Sequence, residues 1–485
     1  MRQRQSSASG VGRARARRLA RVLGGLWLLH TLSGCILGSE KPDLALDVPE
    51  SYRTAKAGPE SALPPLDWWR GFRSRELTLL MEEAQTANLD IAVAIARILQ
   101  ADAQVRITNA ALLPAVNFNT SATRSRRAGG GASPVSSLYN VNLSASYTLD
   151  FWGRNRAALL SAEETAIATR FDRDVVALTT LVSVADAYFL VANSQDRLRI
   201  ARENFAAANR ILGLIKERFN AGTASQLEVS QQESLVATQR AAIPPLEITL
   251  RQNIAALAVL VGRAPEHFSA AGGSTFRITV PRVSPGLPSE LLNQRPDIRE
   301  AEATLRSTNF SVESARAAFF PTISLTGQTG FQSAALASLF GPGAWFYTMA
   351  ASLTQPVFDG GLLLGQLELA QGHQLEALQT YRRAVISAFR DVEQALIALQ
   401  QQTIRERLQN EVVRASRVAF QISEQRLREG TLDLPTLLQT QQTLFAAEDL
   451  LAQIRLARLQ AAVFLYQALG GGWSPPVPAV PPDPA

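Results

Sequence analysis

The chain has 485 residues, of which 46% are hydrophobic and 19% charged, and a net charge of +6. Its first 34 residues hold seven arginines and no acid, so the remainder balances 41 basic against 42 acidic residues (48 − 7 = 41). The basic excess therefore gives no support for nucleic-acid binding, and a single cysteine, Cys35, excludes disulfides and cysteine-rich metal sites.

The N-terminus has the features of a targeting segment. Basic residues precede an apolar run over residues 23–32, and Leu32-Ser33-Gly34-Cys35 follows. This order resembles a bacterial lipoprotein signal peptide, residues 1–34, in which the cysteine thiol is acylated. Because Ile36 and no aspartate follows Cys35, the segment resembles lipoproteins sorted to the outer membrane. An ordinary secretory signal with an incidental cysteine is the alternative; no cofactor is expected besides this covalent lipid.

Residues 35–73 are interpreted as a lipidated tether, because proline, glycine and polar residues punctuate most of it. An aromatic cluster, Trp68, Trp69 and Phe72, ends this stretch. The cluster favours packing of the tether against the start of the first helix. An anchor at a membrane interface is the alternative.

The rest of the chain is a tandem duplication. In each half a helical pattern stops at a proline, Pro114 or Pro321, and a pattern of period two follows. The prolines are 207 residues apart (321 − 114 = 207), and a Gly-Thr pair recurs at a spacing of 208 (430 − 222 = 208). The predicted segments are a first repeat, a second repeat and a Pro/Gly-rich tail: 74–288, 289–470 and 471–485.

Each repeat is predicted to contain two strands of roughly barrel-spanning length. Their predicted bounds are 115–123, 138–149, 322–331 and 345–356, with a glycine-containing loop over 124–137. In the second strand apolar residues alternate with small polar ones, a pattern that lipid outside and water inside would select. A sandwich strand with one solvated face gives the same alternation. Four strands cannot close a membrane barrel, so two, three or four copies would have to supply eight, twelve or sixteen.

Very long helices are predicted directly after Gly153 and Gly361, ending near residues 220 and 428. At 1.5 Å per residue each would be roughly 100 Å long. Apolar stripes at heptad spacing indicate two packing partners, as in a ring of helices; a buried helix of a large bundle is the alternative. No run of about 18 uncharged apolar residues follows the signal segment, so no transmembrane helix is expected.

Return helices are predicted over 225–261 and 437–469, after reversals at four residues: Gly222, Thr223, Gly430 and Thr431.

The duplication, the proline joints at Pro114 and Pro321, the strand exits at Gly153 and Gly361 and the Gly-Thr reversals together resemble the TolC-like outer-membrane efflux proteins. The resemblance is closest to their NodT-type lipoprotein branch. It implies a mainly α fold with a membrane β-barrel, in which three chains each give four strands to a twelve-stranded barrel and the long helices form a periplasmic α-barrel. It also implies an outer-membrane location in a Gram-negative bacterium.

The resemblance further implies a homotrimer that meets a periplasmic adaptor and an inner-membrane transporter, expected to be of the RND type. The helix tips would then form the periplasmic aperture, with candidate residues just after the reversals: Glu228, Leu432, Asp433, Leu434, Thr436 and Gln439. The family commonly carries acids at the positions of Thr436 and Gln439, and this chain does not. Closure is therefore expected to rest on leucine packing more than on an acidic ring.

The sequence contains no motif that indicates an enzyme. Outside the signal segment the only histidines, His267 and His373, are isolated, and nucleophile, phosphate-loop and metalloprotease patterns are absent. The predicted function is a passive outer-membrane exit duct of a tripartite efflux system for drugs or other toxic small molecules, gated at the helix tips. A type I protein-secretion duct has the same architecture. A periplasmic coiled-coil adaptor without a pore is the alternative from another class.

Overall fold

The structure of the chain is a computed structural model that describes residues 44, 49, 51–54, 64–126, 135–283, 286, 288–471 and 473. The predicted lipidation site, Cys35, lies outside the described residues, as do most of the predicted tether and the tail beyond residue 473.

The described residues form two compact units. The sheet unit comprises Asp102–Thr165 and Thr304–Leu378, and the helical unit comprises the described parts of Leu44–Ala101, Ala166–Ala303 and Gln379–Ala485. Each unit draws segments from both repeats. The compact units therefore differ from the repeat boundaries expected from the sequence, because the two copies interleave.

The helices and strands of each repeat occur in the same order: a helix pair, two strands, a long helix and a return segment. Their bounds are α1 Arg75–Ala87, α2 Leu89–Asn109, β1 Ala115–Arg126, β2 Val135–Leu149, α3 Arg154–Asn220, α4 Gln226–Ala241, α5 Ile243–Leu260, α6 Pro288–Gln294, α7 Pro296–Ala317, β3 Thr322–Ser333, β4 Trp345–Thr354, α8 Leu362–Arg428 and α9 Leu434–Ala468.

Several bounds differ from the predicted ones for local reasons. The first return helix is broken beside Pro244-Pro245, as these prolines predict: it divides into α4 and α5, and Pro244 lies in the first turn of α5, where a proline removes no helical hydrogen bond. Strands β1 and β2 extend further than predicted, because pairing continues through Arg124 with Ser137 and Arg126 with Val135. The connection between them is therefore shorter than the predicted loop over 124–137.

The four strands form one antiparallel sheet in the order β1-β2-β3-β4. The register runs without interruption through all three pairings. Strands β1 and β4 each have one neighbour among the described residues, so each presents a row of backbone groups that is unpaired within the chain. Such edges promote pairing with another chain.

The core of the helical unit forms around the middle of α3 and the predicted aromatic cluster. Trp68 and Phe72 are fully buried, Trp68 stacks on Tyr466 with ring centroids 5.1 Å apart, and Phe72 lies 5.2 Å from Phe189. The cluster thus packs inside the protein, which excludes the alternative of an interfacial anchor for these three side chains. Helix α3 contains the one described stretch apolar enough to cross a membrane by length and composition, and 56% of that stretch is buried in the protein.

A cluster of charged residues joins three parts of the helical unit. Arg455 and Arg458 of α9 donate to opposite oxygens of Glu406 of α8 at 3.0 and 2.8 Å. The Arg455 guanidinium also donates to the backbone carbonyls of Thr275 and Ile278, in the connector between α5 and α6. Glu406 and Arg455 are less than a tenth exposed, so the connector is held to both helices by a buried charge network.

We expect Glu406→Ala to lower the free energy of unfolding by about 3–5 kcal/mol, because it leaves the buried Arg455 without its counter-ion. Denaturant unfolding of the purified protein measures the change. The matched control is Glu203→Ala, which breaks an exposed ion pair with Arg199 in α3 and should cost about 1 kcal/mol or less. Equal losses in the two variants would contradict a structural role for the buried network.

Candidate channel-lining sheet and helix tips

The sheet has two chemically distinct faces, which follow from alternation along an unbroken register. The apolar face carries, in one cross-strand row, Phe118 of β1, Leu143 of β2, Thr329 of β3 and Tyr347 of β4. On β4 this face is strongly exposed within the chain, with Met349 at 85% and the other large residues above half. A contiguous apolar surface of this kind requires a cover, and lipid provides one.

The opposite, polar face carries small uncharged side chains that bond to one another across strands. Asn119 Nδ2 donates to Asn142 Oδ1 at 3.2 Å and to Ser144 Oγ at 2.9 Å, and Asn142 Nδ2 donates to Asn140 Oδ1 at 3.0 Å. No charged residue of the described strands lies on this face. Water wets such a surface, and it attracts neither ion sign strongly.

The predicted proline joints lie where helix gives way to strand. Pro114 stands between a terminal helical turn and β1, and Pro321 stands between α7 and β3. Trp152, just after β2, donates its indole N–H to the Pro321 carbonyl at 2.8 Å and stacks on Phe320 with centroids 4.8 Å apart. The segment that follows β2 is thereby held against the segment that precedes β3.

Two aspartates anchor the starts of the long helices, a role that the motif analysis missed. Asp150 accepts from the backbone N–H groups of Asn155 and Arg156, each at 2.9 Å. Asp359 accepts from those of Leu363 and Gly361 at 3.0 and 2.9 Å, and these bonds lower the pKa of its carboxyl. The signal was present in the sequence, because each aspartate comes shortly before the first residue of a long helical pattern.

The predicted strand exits contribute backbone to the same helix starts. The Gly153 carbonyl accepts from the N–H of Ala157 at 2.8 Å, and the Gly361 carbonyl accepts from the N–H of Gly365 at 2.9 Å. These bonds begin α3 and α8 directly after the glycines, as the sequence pattern indicated.

Both helix reversals have the same hydrogen-bonded geometry. The Thr223 N–H donates to the Arg218 carbonyl at 2.8 Å, and the Thr431 N–H donates to the Arg426 carbonyl at 2.9 Å. Gly222 and its counterpart Gly430 have φ of 72° and 75°. This is the Schellman arrangement, in which a left-handed residue satisfies the last helical carbonyls, and glycine adopts it without steric cost.

On both sides of the reversals the chain packs apolar side chains into a hydrophobic group that we call the tip cluster. Its buried members are Ile211, Ile215, Val229, Phe420, Leu427, Leu434, Leu437 and Leu444. Leu432 is half-buried and packs against this cluster, whereas Leu434 is fully buried in it. Of the predicted aperture residues, Asp433, Thr436 and Gln439 are exposed and recur every three residues along one side of α9.

Glu228, another predicted aperture residue, makes a capping box in the structure. The Ser225 N–H donates to Glu228 Oε2 at 2.6 Å, and the Glu228 N–H donates to Ser225 Oγ at 3.2 Å. The carboxylate therefore stabilises the first turn of α4, and it is half-buried. The spacing Ser225-Gln226-Leu227-Glu228 is the sequence signature of a capping box, a signal that the motif analysis did not use.

Polar contacts join the two helical hairpins near their tips. Arg218, at the end of α3, donates to the Leu427 carbonyl at the end of α8 at 3.0 Å. Further along the same helices Arg210 lies 3.4 Å from Glu424. The first contact anchors one reversal to the other inside a single chain.

A family model for outer membrane efflux proteins matches residues 80–263 and 287–471, once over each repeat. The chain belongs to the outer membrane efflux protein family. Curated relatives include the pyoverdine export outer membrane protein OpmQ of Pseudomonas putida, 39% identical with 89% of this chain and 93% of the relative covered. OpmQ of Pseudomonas aeruginosa is 38% identical, with 92% and 97% covered.

Solved structures of efflux channels have the same fold. The outer-membrane channel OprN matches with a TM-score of 0.85 at 27% identity, covering 90% of this chain and all of that one. The MtrE channel of Neisseria gonorrhoeae, in its open state, matches with a TM-score of 0.76 at 30% identity, covering 90% and 98%. The structural neighbours are trimeric channels with a helical barrel and a β-barrel, which confirms the predicted fold class.

The family also confirms the broad prediction of function and location. The protein is an outer-membrane efflux channel that works in a pump, and it is a transport protein and not an enzyme. Within the part of the chain that the structure describes, no group of three or more metal-binding side chains occurs.

A buried polar side chain close to the tip provides a stability test. Gln441 of α9 is 0% exposed, and neither atom of its amide has a hydrogen-bond partner among the described residues. We expect Gln441→Leu to raise the free energy of unfolding by about 1–3 kcal/mol, because it removes an unpaired buried amide.

Thermal or denaturant unfolding of the purified protein measures this gain. The matched control is Gln442→Leu, because Gln442 is exposed and its replacement should change stability by less than about 0.5 kcal/mol. Destabilisation by Gln441→Leu would show that the amide has a partner in the assembled channel.

Proposed function

We propose that this protein is the passive exit duct of a tripartite efflux system and that the tips of its long helices gate the duct. The polar, uncharged face of the sheet is the observation that carries the proposal. Such a wall gives passing molecules a wet surface without strong binding, which suits conduction driven by a partner transporter. An inner-membrane transporter of the RND type and a periplasmic adaptor are the proposed partners.

Relatives support small molecules as the cargo. Two are named for pyoverdine export, and others, at 31–32% identity, for toluene, solvent or antibiotic efflux. We infer that this channel exports small organic compounds, with a pyoverdine-like compound as the first candidate because the pyoverdine relatives have the higher identities. Deletion in the bacterium that encodes it should lower the amount of that compound in the medium. Loss of a secreted protein instead would favour the type I alternative.

Cys35 is proposed to carry the covalent lipid that tethers the chain to the outer membrane. The proposal rests on the basic and apolar residues before a Leu-Ser-Gly-Cys sequence, and on the absence of any other cysteine.

Planar-bilayer recording of the purified full-length protein tests conduction. We expect discrete conductance steps with weak preference for either ion sign, because the polar face of the described strands carries no charge. Absence of conductance under voltage in both the wild type and the gate variant Leu434→Ser, with the oligomer intact, would contradict the passive duct.

The gate is proposed to depend on the tip cluster, with Leu432, Leu434 and Leu437 in place of an acidic ring. Leu434 and Leu437 are fully buried, and Leu432 packs on the same cluster. The exposed residues on that side of α9, Asp433, Thr436 and Gln439, would face the aperture with one carboxylate among them. Glu228 would act at the aperture through the helix start that it caps.

We expect Leu434→Ser to raise the resting conductance several-fold, because loss of a buried leucine weakens local packing by about 2–5 kcal/mol. Leu432→Ser should have a smaller effect in the same direction, since that side chain is half-buried. The matched control is Leu227→Ser on the other tip, where the leucine is 65% exposed. Equal conductance in all three variants and the wild type would contradict the proposal that the tip cluster closes the duct.

A further inference from the structure

Charge is distributed unequally between the faces of the sheet. Among the four described strands the only charged side chains are Arg124 and Arg126, near the end of β1. Both share the apolar face with Phe118, because residues two apart on a strand point to the same side. Their cross-strand partners are Ser137 and Val135. Two arginines thus lie on the face that meets lipid.

The position of the arginines along the strand fixes their depth. Ala122 pairs with Tyr139, an aromatic residue at the loop end of the apolar face, and Arg124 and Arg126 lie two and four residues beyond Ala122. An arginine on the lipid face costs about 2–4 kcal/mol at the bilayer midplane but about 0–1 kcal/mol near the interface. The lipid-facing apolar band of a membrane barrel is about 25 Å tall, and about ten residues of a tilted strand cross it. Counted from the start of β1 at Ala115, ten residues end near Arg124, so both arginines lie at or just beyond the edge of this band.

Neither arginine has a partner among the residues that the structure describes. Both side chains are exposed, no carboxylate occurs in the described strands, and neither guanidinium makes a hydrogen bond or ion pair with another described residue. Arginines elsewhere in the protein often pair with acids, as Arg197 does with Asp449 at 2.7 Å. Two cations without a described partner, at a membrane surface, therefore present ten N–H donors to an anion from outside the chain.

We propose that Arg124 and Arg126 form a binding site for phosphate groups of anionic lipids in the outer leaflet. The guanidinium fork matches phosphate oxygens bidentately, and two forks about 7 Å apart along the strand can hold two phosphates of one headgroup or one phosphate each of neighbours. The loop end of the sheet faces away from the strand ends that continue into helices, and helices of the family's channels extend into the periplasm. The site goes beyond the proposed duct function and does not depend on gating.

Native mass spectrometry of the full-length trimer in neutral detergent tests the site. The probes are bisphosphorylated lipid A, the same lipid without phosphates, and inorganic phosphate. We expect the phosphorylated lipid to bind at least about tenfold more tightly than the phosphate-free lipid. Arg124→Gln with Arg126→Gln should weaken that binding on the order of five-fold per arginine, and Arg124→Lys with Arg126→Lys should retain only part of it, because lysine keeps the charge and loses the bidentate fork.

The matched control neutralises two exposed arginines of α8, Arg407→Gln with Arg414→Gln, and should leave lipid affinity unchanged. Conductance of the Arg124 and Arg126 variants should equal the wild type, because both side chains lie on the face opposite the polar one. Loss of lipid binding with normal conductance therefore separates this site from the duct.

Unchanged lipid affinity in the double glutamine variant would overturn the proposal. So would equal binding of the phosphate-free lipid, or displacement of the lipid by equimolar inorganic phosphate, which would assign the arginines to a free anion. If the double variant failed to assemble, the comparison of phosphorylated and phosphate-free lipid on the wild type would decide alone.

Discussion

A sheet with one apolar face and two unpaired edges cannot be satisfied inside one chain, and the rest of the structure depends on this constraint. The apolar face of β4 is largely exposed, and the outer backbone groups of β1 and β4 pair with no other described strand. In a bilayer, open edges are not tolerated, because no water is present to bond the free N–H and C=O groups. Closure with further chains pairs the edges and leaves the apolar face outward against lipid, and the trimeric channels of the family form such a barrel.

Side-chain hydrogen bonds at the joints between strands and helices hold the long helices to the sheet. Asp150 and Asp359 hold the first turns of the two 67-residue helices, and Trp152 donates a hydrogen bond to the carbonyl of Pro321 in the second repeat of the same chain. Each contact uses a residue within a few positions of a strand end. The first turn of each long helix is thereby held within a few residues of its strand end.

Much of this architecture could be predicted from the sequence. Period-two alternation, the prolines at 114 and 321 and the glycine reversals act locally, so the bounds of α8, Leu362–Arg428, agree with the expected ones. Contacts between distant segments could not be predicted. The Arg455–Glu406 pair and the unpaired Gln441 depend on how helices pack, and no spacing in the sequence encodes that partner choice. The last residues of β1 were missed because they are polar and charged, a pattern typical of loops.

Hydrogen exchange at the edge strands of the assembled channel tests the central claim most directly. The backbone amides of β1 and β4 that point away from the in-chain sheet would be measured, with the in-chain bonded amides of β2 and β3 as the internal reference. If neighbouring copies pair with both edges, the two sets should exchange at similarly slow rates. Exchange of the edge amides at rates typical of unpaired backbone, with the inner strands still protected, would contradict closure between chains.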